Sequence, residues 1–219
     1  MHSLQAQDPQ FTQYYSAPLY LNPGFTGTTM INRLVFNSRI QWPELPRPYV
    51  TVSASFDRNL ARLNSRIGLL MVTEKAGSAE MKSTQAGIAY AYKIRLNEQW
   101  VLSPGLIFAY GNRGIDYGKL IFGDQLEVNG PTSDDVLGKF DRAHYFDFSS
   151  GLLVYSKNFW GGISFYHLNE PNHSLVSGTS PLPVKMTLHS GIRIPLGHSI
   201  FSNGVKKALS PSFIYKQQG

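Results

Sequence analysis

Residues 49–58, Tyr-Val-Thr-Val-Ser-Ala-Ser-Phe-Asp-Arg, decide the fold, because apolar and polar side chains alternate along them. In an extended strand Val50, Val52 and Phe56 lie on one face, and the neighbouring Thr51 lies on the other. Alternation with a period of two is typical of a half-buried β-strand, whereas an amphipathic helix repeats every three to four residues. The stretch therefore predicts a strand that separates two unlike environments.

The same alternation recurs along the chain and predicts nine strands. They span residues 31–42, 49–58, 65–73, 82–96, 99–111, 144–156, 159–168, 184–194 and 208–216. Several have the length of about ten residues that a tilted strand needs to cross a bilayer. The links Asn97-Glu98 and Lys157-Asn158 are very short, whereas the links 112–143 and 169–183 are long. Short turns at one end and long loops at the other predict an all-β, antiparallel, up-and-down transmembrane β-barrel.

A soluble β-sandwich is the alternative, because its strands also alternate between an inner apolar and an outer polar face. Only 16% of the residues are charged, and the predicted polar face is rich in Gly, Ser and Thr rather than in Lys and Glu. This composition favours the membrane barrel. The net charge of +6 does not predict nucleic-acid binding, since the only adjacent basic pair is Lys206-Lys207.

Nine strands do not close a bacterial barrel of the usual even-numbered kind, so we expect an incomplete barrel whose C-terminal strands are missing. Residues 1–7 are expected to be a remnant of a signal peptide or of the start of the expressed chain. Residues 8–30 are expected to form a periplasmic or lumen-contacting segment, because they lack strand alternation. Residues 31–219 are expected to form the β-barrel domain, truncated at its carboxyl end.

Candidate partner contacts come from two groups of residues, namely aromatic anchors in the 8–27 stretch and basic side chains of the predicted lumen face. They are Phe11, Tyr14, Tyr15, Tyr20, Phe25, Arg33, Arg39, Lys185, His189 and Arg193. A basic lumen either holds an acidic segment of a partner or pairs with acids of the chain itself, such as Asp57 and Asp147. The 8–27 stretch likewise either docks partners or plugs the barrel, and both alternatives stay open.

Catalytic and metal-binding motifs are not supported by the sequence. His167, Glu170 and His173 have the spacing H-x-x-E-x-x-H, but Pro171 interrupts the helix that would align them as metal ligands. Cysteine is absent, which excludes disulfides and thiolate ligands. We therefore expect no enzymatic activity, no catalytic residues, no cofactor, no metal site and no small-molecule substrate.

Several stretches, in the same order along the chain, resemble the PorP/SprF family of outer-membrane proteins of the type IX secretion system. They include Gln-Asp-Pro-Gln-Phe-Thr-Gln-Tyr-Tyr at 7–15, Pro-Leu-Tyr-Leu-Asn-Pro-Gly-Phe-Thr-Gly at 18–27, Leu-Ile-Phe-Gly-Asp at 120–124 and His-Leu-Asn-Glu-Pro-Asn at 167–172. The motif residues that the resemblance singles out in turns and loops are Asn22, Pro23, Gly123, Asp124, His167, Asn169, Glu170, Pro171 and Asn172.

The resemblance implies a barrel in the cell outer membrane that supports export and surface anchoring of large cargo such as gliding-motility adhesins. Its implied partners are outer-membrane lipid, other type IX secretion components and exported adhesin-type cargo, with the N-terminus on the periplasmic side. The barrel pattern alone fits a passive porin or a ligand-uptake barrel equally well.

Overall fold

The computed structural model describes residues 8–76, 81–115, 142–175, 178–196 and 207–219. Within these ranges the strands are β1 (Arg33–Gln41), β2 (Tyr49–Leu60), β3 (Ser65–Ala76), β4 (Met81–Tyr92), β5 (Ile94–Arg95), β6 (Val101–Gly114), β7 (Ala143–Tyr155), β8 (Phe159–Tyr166), β9 (Lys185–Ile192), β10 (Ile194–Pro195), β11 (Ala208–Leu209) and β12 (Ser212–Gln218). Residues 1–7, the predicted remnant of a signal peptide or of the start of the expressed chain, lie outside the described ranges.

The nine main strands form one curled antiparallel sheet in which each pairs with the next along the chain, in the order β1-β2-β3-β4-β6-β7-β8-β9-β12, and β5 also pairs with β6. The short β10 and β11 pair with each other as a separate two-stranded sheet. This up-and-down topology confirms the predicted all-β fold. Among the described residues, β1 pairs only with β2 and β12 pairs only with β9, so the sheet is an open half-barrel.

The two faces of the sheet differ as the alternation predicts. Large apolar side chains such as Phe36, Ile88 and Leu106 are 58% to 70% exposed on the convex face. Small polar side chains such as Ser53 and Ser149 are buried on the concave face. A convex apolar surface of this kind is typical of the lipid-facing side of a membrane barrel.

Three predicted strands are interrupted: the strand predicted at 184–194 breaks at Arg193, and a proline accounts for each of the other two breaks. The strand predicted at 82–96 ends at Tyr92 and resumes at Ile94, although Ala91 opposite Gly105 and Ile94 opposite Leu102 keep one register. Pro104 lies between those partners and has no N–H to donate to the ladder. The strand predicted at 208–216 is likewise split at Pro211.

Among the described residues, helical structure is limited to one short α-helix, α1 (Pro18–Leu21), and three 3₁₀ turns at Tyr14–Ser16, Pro23–Phe25 and Ala61–Leu63. In the part of the chain described, no helix is both long and apolar enough to cross a membrane. The buried apolar core is small, and Leu19 of α1 packs in it against Ala89, Ile107 and Ala109 of the concave face. The core therefore joins the segment before β1 to the sheet.

Candidate functional site

Residues 8–28, called the amino-terminal segment below, lie on the concave face of the sheet. Prolines begin two of its turns: Pro18 starts α1 and Pro23 starts the following 3₁₀ turn. A proline fits the first position of a helix because its missing N–H would have no partner there. Asn22 caps the second turn, since its Oδ1 accepts a hydrogen bond from the Gly24 N–H at 2.8 Å. The segment is thus a chain of short, locally defined turns.

Asn22 anchors the middle of the segment to the strands. Its Nδ2 lies 3.2 Å from the carbonyl oxygen of Leu152 in β7, 3.1 Å from that of Ile163 in β8 and 3.0 Å from His189 Nε2 in β9. The side chain is completely buried. A buried amide needs such partners, because an unpaired polar group costs about 1 to 3 kcal/mol. This one side chain therefore contacts three adjacent strands.

Glycine in the sheet allows the segment to approach the backbone closely. A Cβ at Gly105 of β6 would lie 2.4 Å from the carbonyl carbon of Pro23 and 2.6 Å from the backbone nitrogen of Gly24. Contacts this short are sterically forbidden, so no side chain fits at this position. The next inward residue, Ser103, donates from Oγ to the Gly24 carbonyl at 2.8 Å.

At the end of the sheet that carries the short turns, Asp57 holds the end of the segment. Its Oδ1 accepts from the Gly27 N–H at 2.8 Å, and its Oδ2 accepts from Arg33 Nε at 2.8 Å. Arg33 also donates to the Phe25 carbonyl at 2.9 Å. Gly27 has φ +58°, a conformation that favours glycine. Asp57 and Arg33 therefore fix the turn that leads from the segment into β1.

At the opposite end, Asp8 lies in a buried cluster of charges. Asp8 Oδ2 accepts from Lys185 Nζ at 2.7 Å and from His167 Nε2 at 2.8 Å. The other ring nitrogen of His167 donates to Asp147 Oδ2 at 2.9 Å. Gln85 Nε2 donates to the same Asp147 oxygen at 2.5 Å. Two carboxylates that accept from both ring nitrogens require a doubly protonated imidazolium.

The pKa values of Asp8 and His167 shift in opposite directions within this cluster. Burial alone would raise the pKa of Asp8, but the charge of Lys185 and the hydrogen bond from His167 bring it well below its usual range. Burial alone would lower the pKa of His167, but the hydrogen bonds to Asp147 and Asp8 raise it to about 9. His167 is therefore charged at neutral pH and bridges two acids.

Aromatic rings complete the contact between the segment and the sheet. The Phe11 and Tyr20 rings meet edge to face at 5.4 Å, and Phe25 stacks on His189 at 5.4 Å. Lys185 Nζ lies 4.9 Å from the centre of the Tyr20 ring, a cation–π distance. Tyr15, in contrast, is 64% exposed.

The described residues leave a cavity of about 250 Å³ beside Asp8 and His167. Glu74, Arg113 and His173 also line it. It is a local cavity at the end of the sheet that carries the 167–184 connection.

The predicted basic residues differ in their surroundings. Arg33 pairs with Asp57 and Lys185 with Asp8, while Arg39 donates to the Gln10 carbonyl. His189 is buried against Asn22 and Phe25. Arg193, in contrast, is exposed beyond the end of β9. Four of these five residues therefore contact the amino-terminal segment or the acid that holds it.

The predicted loop motif at 167–172 closes the end of β8. His167 and Glu170 have positive φ values of 60° and 42°. The Asn169 side chain accepts from the Phe148 N–H at 3.0 Å and donates to the Phe146 carbonyl at 2.8 Å. The Asn172 Oδ1 accepts from the backbone N–H groups of Ser174 and Ser180, and the Pro171 carbonyl accepts from that of Leu182. The motif therefore shapes a compact turn that places His167 between two acids.

Two further predicted motif residues, Gly123 and Asp124, lie outside the described residues. The described residues also contain no group of three or more His, Asp or Glu side chains that is suited to hold a metal ion.

Sequence reasoning missed the role of Asp8, which was not among the candidate residues. Asp8 is the only acid among the first 43 residues. A lone acid in an otherwise uncharged segment is a signal that marks Asp8 for attention, but it does not identify Lys185 as its partner.

Comparison with known proteins gives one family match. A family model described as "Type IX secretion system membrane protein PorP/SprF" matches residues 3–219. No curated protein matches the chain.

Proposed function

Because the chain belongs to the PorP/SprF family of type IX secretion system membrane proteins, we propose that it is an outer-membrane component supporting export and surface anchoring of adhesin-type cargo. The observation that carries this proposal is the amino-terminal segment on the concave face. A barrel wall that binds its own polypeptide on the inside is suited to hold partners rather than to pass solutes.

The contacts of the amino-terminal segment support the proposal that the segment and the sheet form one stable scaffold. Asn22 contacts three strands, Asp57 holds one end and Asp8 holds the other. Their partners are strand backbone and buried side chains, which do not rearrange without breaking hydrogen bonds in a low-dielectric interior. A passive porin, the alternative that the barrel pattern left open, needs a water-filled lumen instead.

We place the short turns, and with them the start of β1, on the periplasmic side. In this orientation β1 begins at the periplasmic mouth, and the amino-terminal segment runs down to it from the outer mouth, which departs from the expected periplasmic N-terminus. Gly27 then lies near the periplasmic mouth and Asp8 near the outer mouth, because they bind opposite ends of the sheet. The described part of the 167–184 connection then faces the cell exterior, where loops serve as contact surfaces. The predicted long loop 112–143 lies largely outside the described residues.

Solvent exposure divides the candidate partner contacts into accessible residues and residues that contact the chain itself. Tyr15 in the segment and Arg193 at the short-turn end are exposed, so both are accessible to type IX components or cargo. Phe11, Tyr20 and Phe25 contact the chain itself and would act by holding the segment in place.

Deletion of the gene in its host, with complementation, tests the function. We expect adhesin-type cargo to disappear from the cell surface in the deletion strain and to return with the wild-type gene, as measured by surface immunolabelling. The matched comparison is uptake of small hydrophilic solutes. Loss of solute uptake with normal cargo display would contradict the proposal and favour a porin.

A further inference from the structure

Three basic side chains continue the inward-facing series of the strands at the short-turn end. Lys93 and Arg95 follow the buried positions Ala89 and Ala91 at intervals of two residues, in a register that β5 maintains with β6. Arg193 follows the buried His189 of β9 in the same way. All three therefore belong to the concave series at the short-turn mouth, with Lys93 and Arg95 beside β6 and Arg193 four strand positions further along the sheet.

These three cations, called the mouth cluster, have no acidic partner among the described residues, unlike Arg33 and Lys185. No side-chain hydrogen bond or ion pair of Lys93, Arg95 or Arg193 occurs in the described part of the chain. Arg95 and Arg193 are exposed. The mouth cluster thus differs from the cations that hold the amino-terminal segment.

A buried arginine extends the positive charge inward from the mouth cluster. Arg66 is only 1% exposed, and its guanidinium donates to two neutral groups, Ser103 Oγ at 2.9 Å and Tyr155 Oη at 2.6 Å. Its Nε has no hydrogen-bond partner in the described structure. Partial burial together with the charges of Arg95 and Arg66 lowers the pKa of Lys93. The positive charge here is therefore not balanced locally.

The residues around the mouth cluster are also mostly positively charged. Arg58, Arg62, Lys157 and Lys207 are exposed at the same end of the sheet, where Glu98 is the one exposed acid in the described turns. A concave surface bordered by low-dielectric walls concentrates such a field and attracts anionic groups.

We infer that the mouth cluster of Lys93, Arg95 and Arg193, backed by Arg66, is a binding site for a carboxylate-rich peptide segment of a partner protein. Arginine guanidinium groups match carboxylates in bidentate geometry. A protein segment is favoured over lipid headgroups because these side chains belong to the concave series, whereas lipid contacts the convex face. The inference rests on the proposed function, which names Arg193 as accessible to partners, and it adds the other residues of the site and the chemistry of the partner segment.

Binding of a labelled poly-glutamate peptide to the full-length protein in phosphatidylcholine nanodiscs tests the site. We expect salt-sensitive binding that weakens about tenfold in the triple variant Lys93→Gln, Arg95→Gln, Arg193→Gln, since three partly exposed ion pairs contribute about 0.5 kcal/mol each. The matched control removes equal charge outside the concave series, in the variant Arg58→Gln, Arg62→Gln, Lys157→Gln. We expect the control to bind within about twofold of the wild type.

Three results would overturn the inference. The first is equal weakening in both triple variants, which would indicate general electrostatic attraction. The second is unchanged binding in the mouth-cluster variant. The third is absence of poly-glutamate binding together with a preference for phosphatidylglycerol vesicles that the mouth-cluster variant loses, which would assign the cluster to the membrane. Heat-modifiable migration on gels confirms that each variant is folded. Cargo display is not the readout, so this test fails or succeeds independently of the proposed function.

Discussion

Gly151 of β7 has no room for a side chain, because a Cβ there would lie 2.1 Å from Asn22 Oδ1. Asn22 reaches this position from the amino-terminal segment, about 130 residues away in sequence. The glycine in the sheet and the asparagine in the segment are therefore complementary. The amino-terminal segment and the barrel wall fit each other as parts of one folded unit.

Gly151→Ala is expected to displace Asn22 and to destabilise the protein by about 2 kcal/mol or more, since it forces a contact in a packed interior and breaks buried hydrogen bonds. The measurement is the thermal midpoint of heat-modifiable gel migration. Gly178→Ala is the matched control, because a Cβ at Gly178 meets nothing within 4 Å. Equal midpoints for the two variants would show that the segment does not occupy this position.

Alkaline pH is expected to weaken the attachment of Asp8. The folded-state pKa of His167 is raised from 6.5 to about 9, so the stability from its charged form is fully present below about pH 6.5. That stability is lost as pH rises through 9, and the shift corresponds to about 3 kcal/mol. Thermal midpoints between pH 7 and pH 9.5 measure the loss.

His167→Gln provides the comparison for this pH dependence, because glutamine does not titrate. We expect the thermal midpoint of His167→Gln to be lower than that of the wild type at pH 7 and to stay nearly constant up to pH 9.5. His144→Gln, which removes an exposed histidine, is expected to keep the wild-type slope. A wild-type slope that persists in His167→Gln would assign the titration to another group.

Arginine on the convex face is expected to be costly if this face contacts lipid. Ile88→Arg and Phe36→Arg replace side chains that are 62% and 70% exposed, and each should cost about 2 to 4 kcal/mol near the bilayer midplane. Asn158→Arg, in an exposed turn, should cost much less. Refolding equilibria in lipid vesicles give these free energies. Similar small costs at all three positions would show that the convex face is in water.

Single-cysteine labelling tests the proposed orientation, and the absence of native cysteine makes it specific. A membrane-impermeant maleimide should label Gln10→Cys on intact cells, because Gln10 is exposed near the end of the sheet where Asp8 is held. Asn158→Cys in a short turn should react only after the outer membrane is permeabilised. The reverse labelling pattern would show that the barrel has the opposite orientation in the membrane.

The sequence was sufficient for the strands and their faces, because a period of two depends on the local order of apolar and polar residues. Alternation around Val52 and Phe56 therefore predicted the fold. It did not predict the break at Lys93, because Pro104, which causes that break, lies on the neighbouring strand. A strand was also predicted across Pro211, although this proline lies within the strand itself. Local pattern does not report cross-strand partners.

The site was less predictable than the fold, for a related physical reason. Asn22 and His167 stand out within their motifs, but their partners Leu152, Ile163 and Asp8 are far away in sequence. Neither the pairing of Asp8 with Lys185 nor the close approach at Gly151 follows from local order. Only the packing of the amino-terminal segment on the sheet brings these residues together.

Planar-bilayer conductance of the purified protein tests whether the amino-terminal segment fills the concave side of the barrel wall. We expect the wild-type protein to conduct little and a variant lacking residues 8–21, checked for folding by heat-modifiable migration, to conduct more. Stable, porin-like conductance of the wild-type protein, unchanged by the deletion, would contradict this expectation.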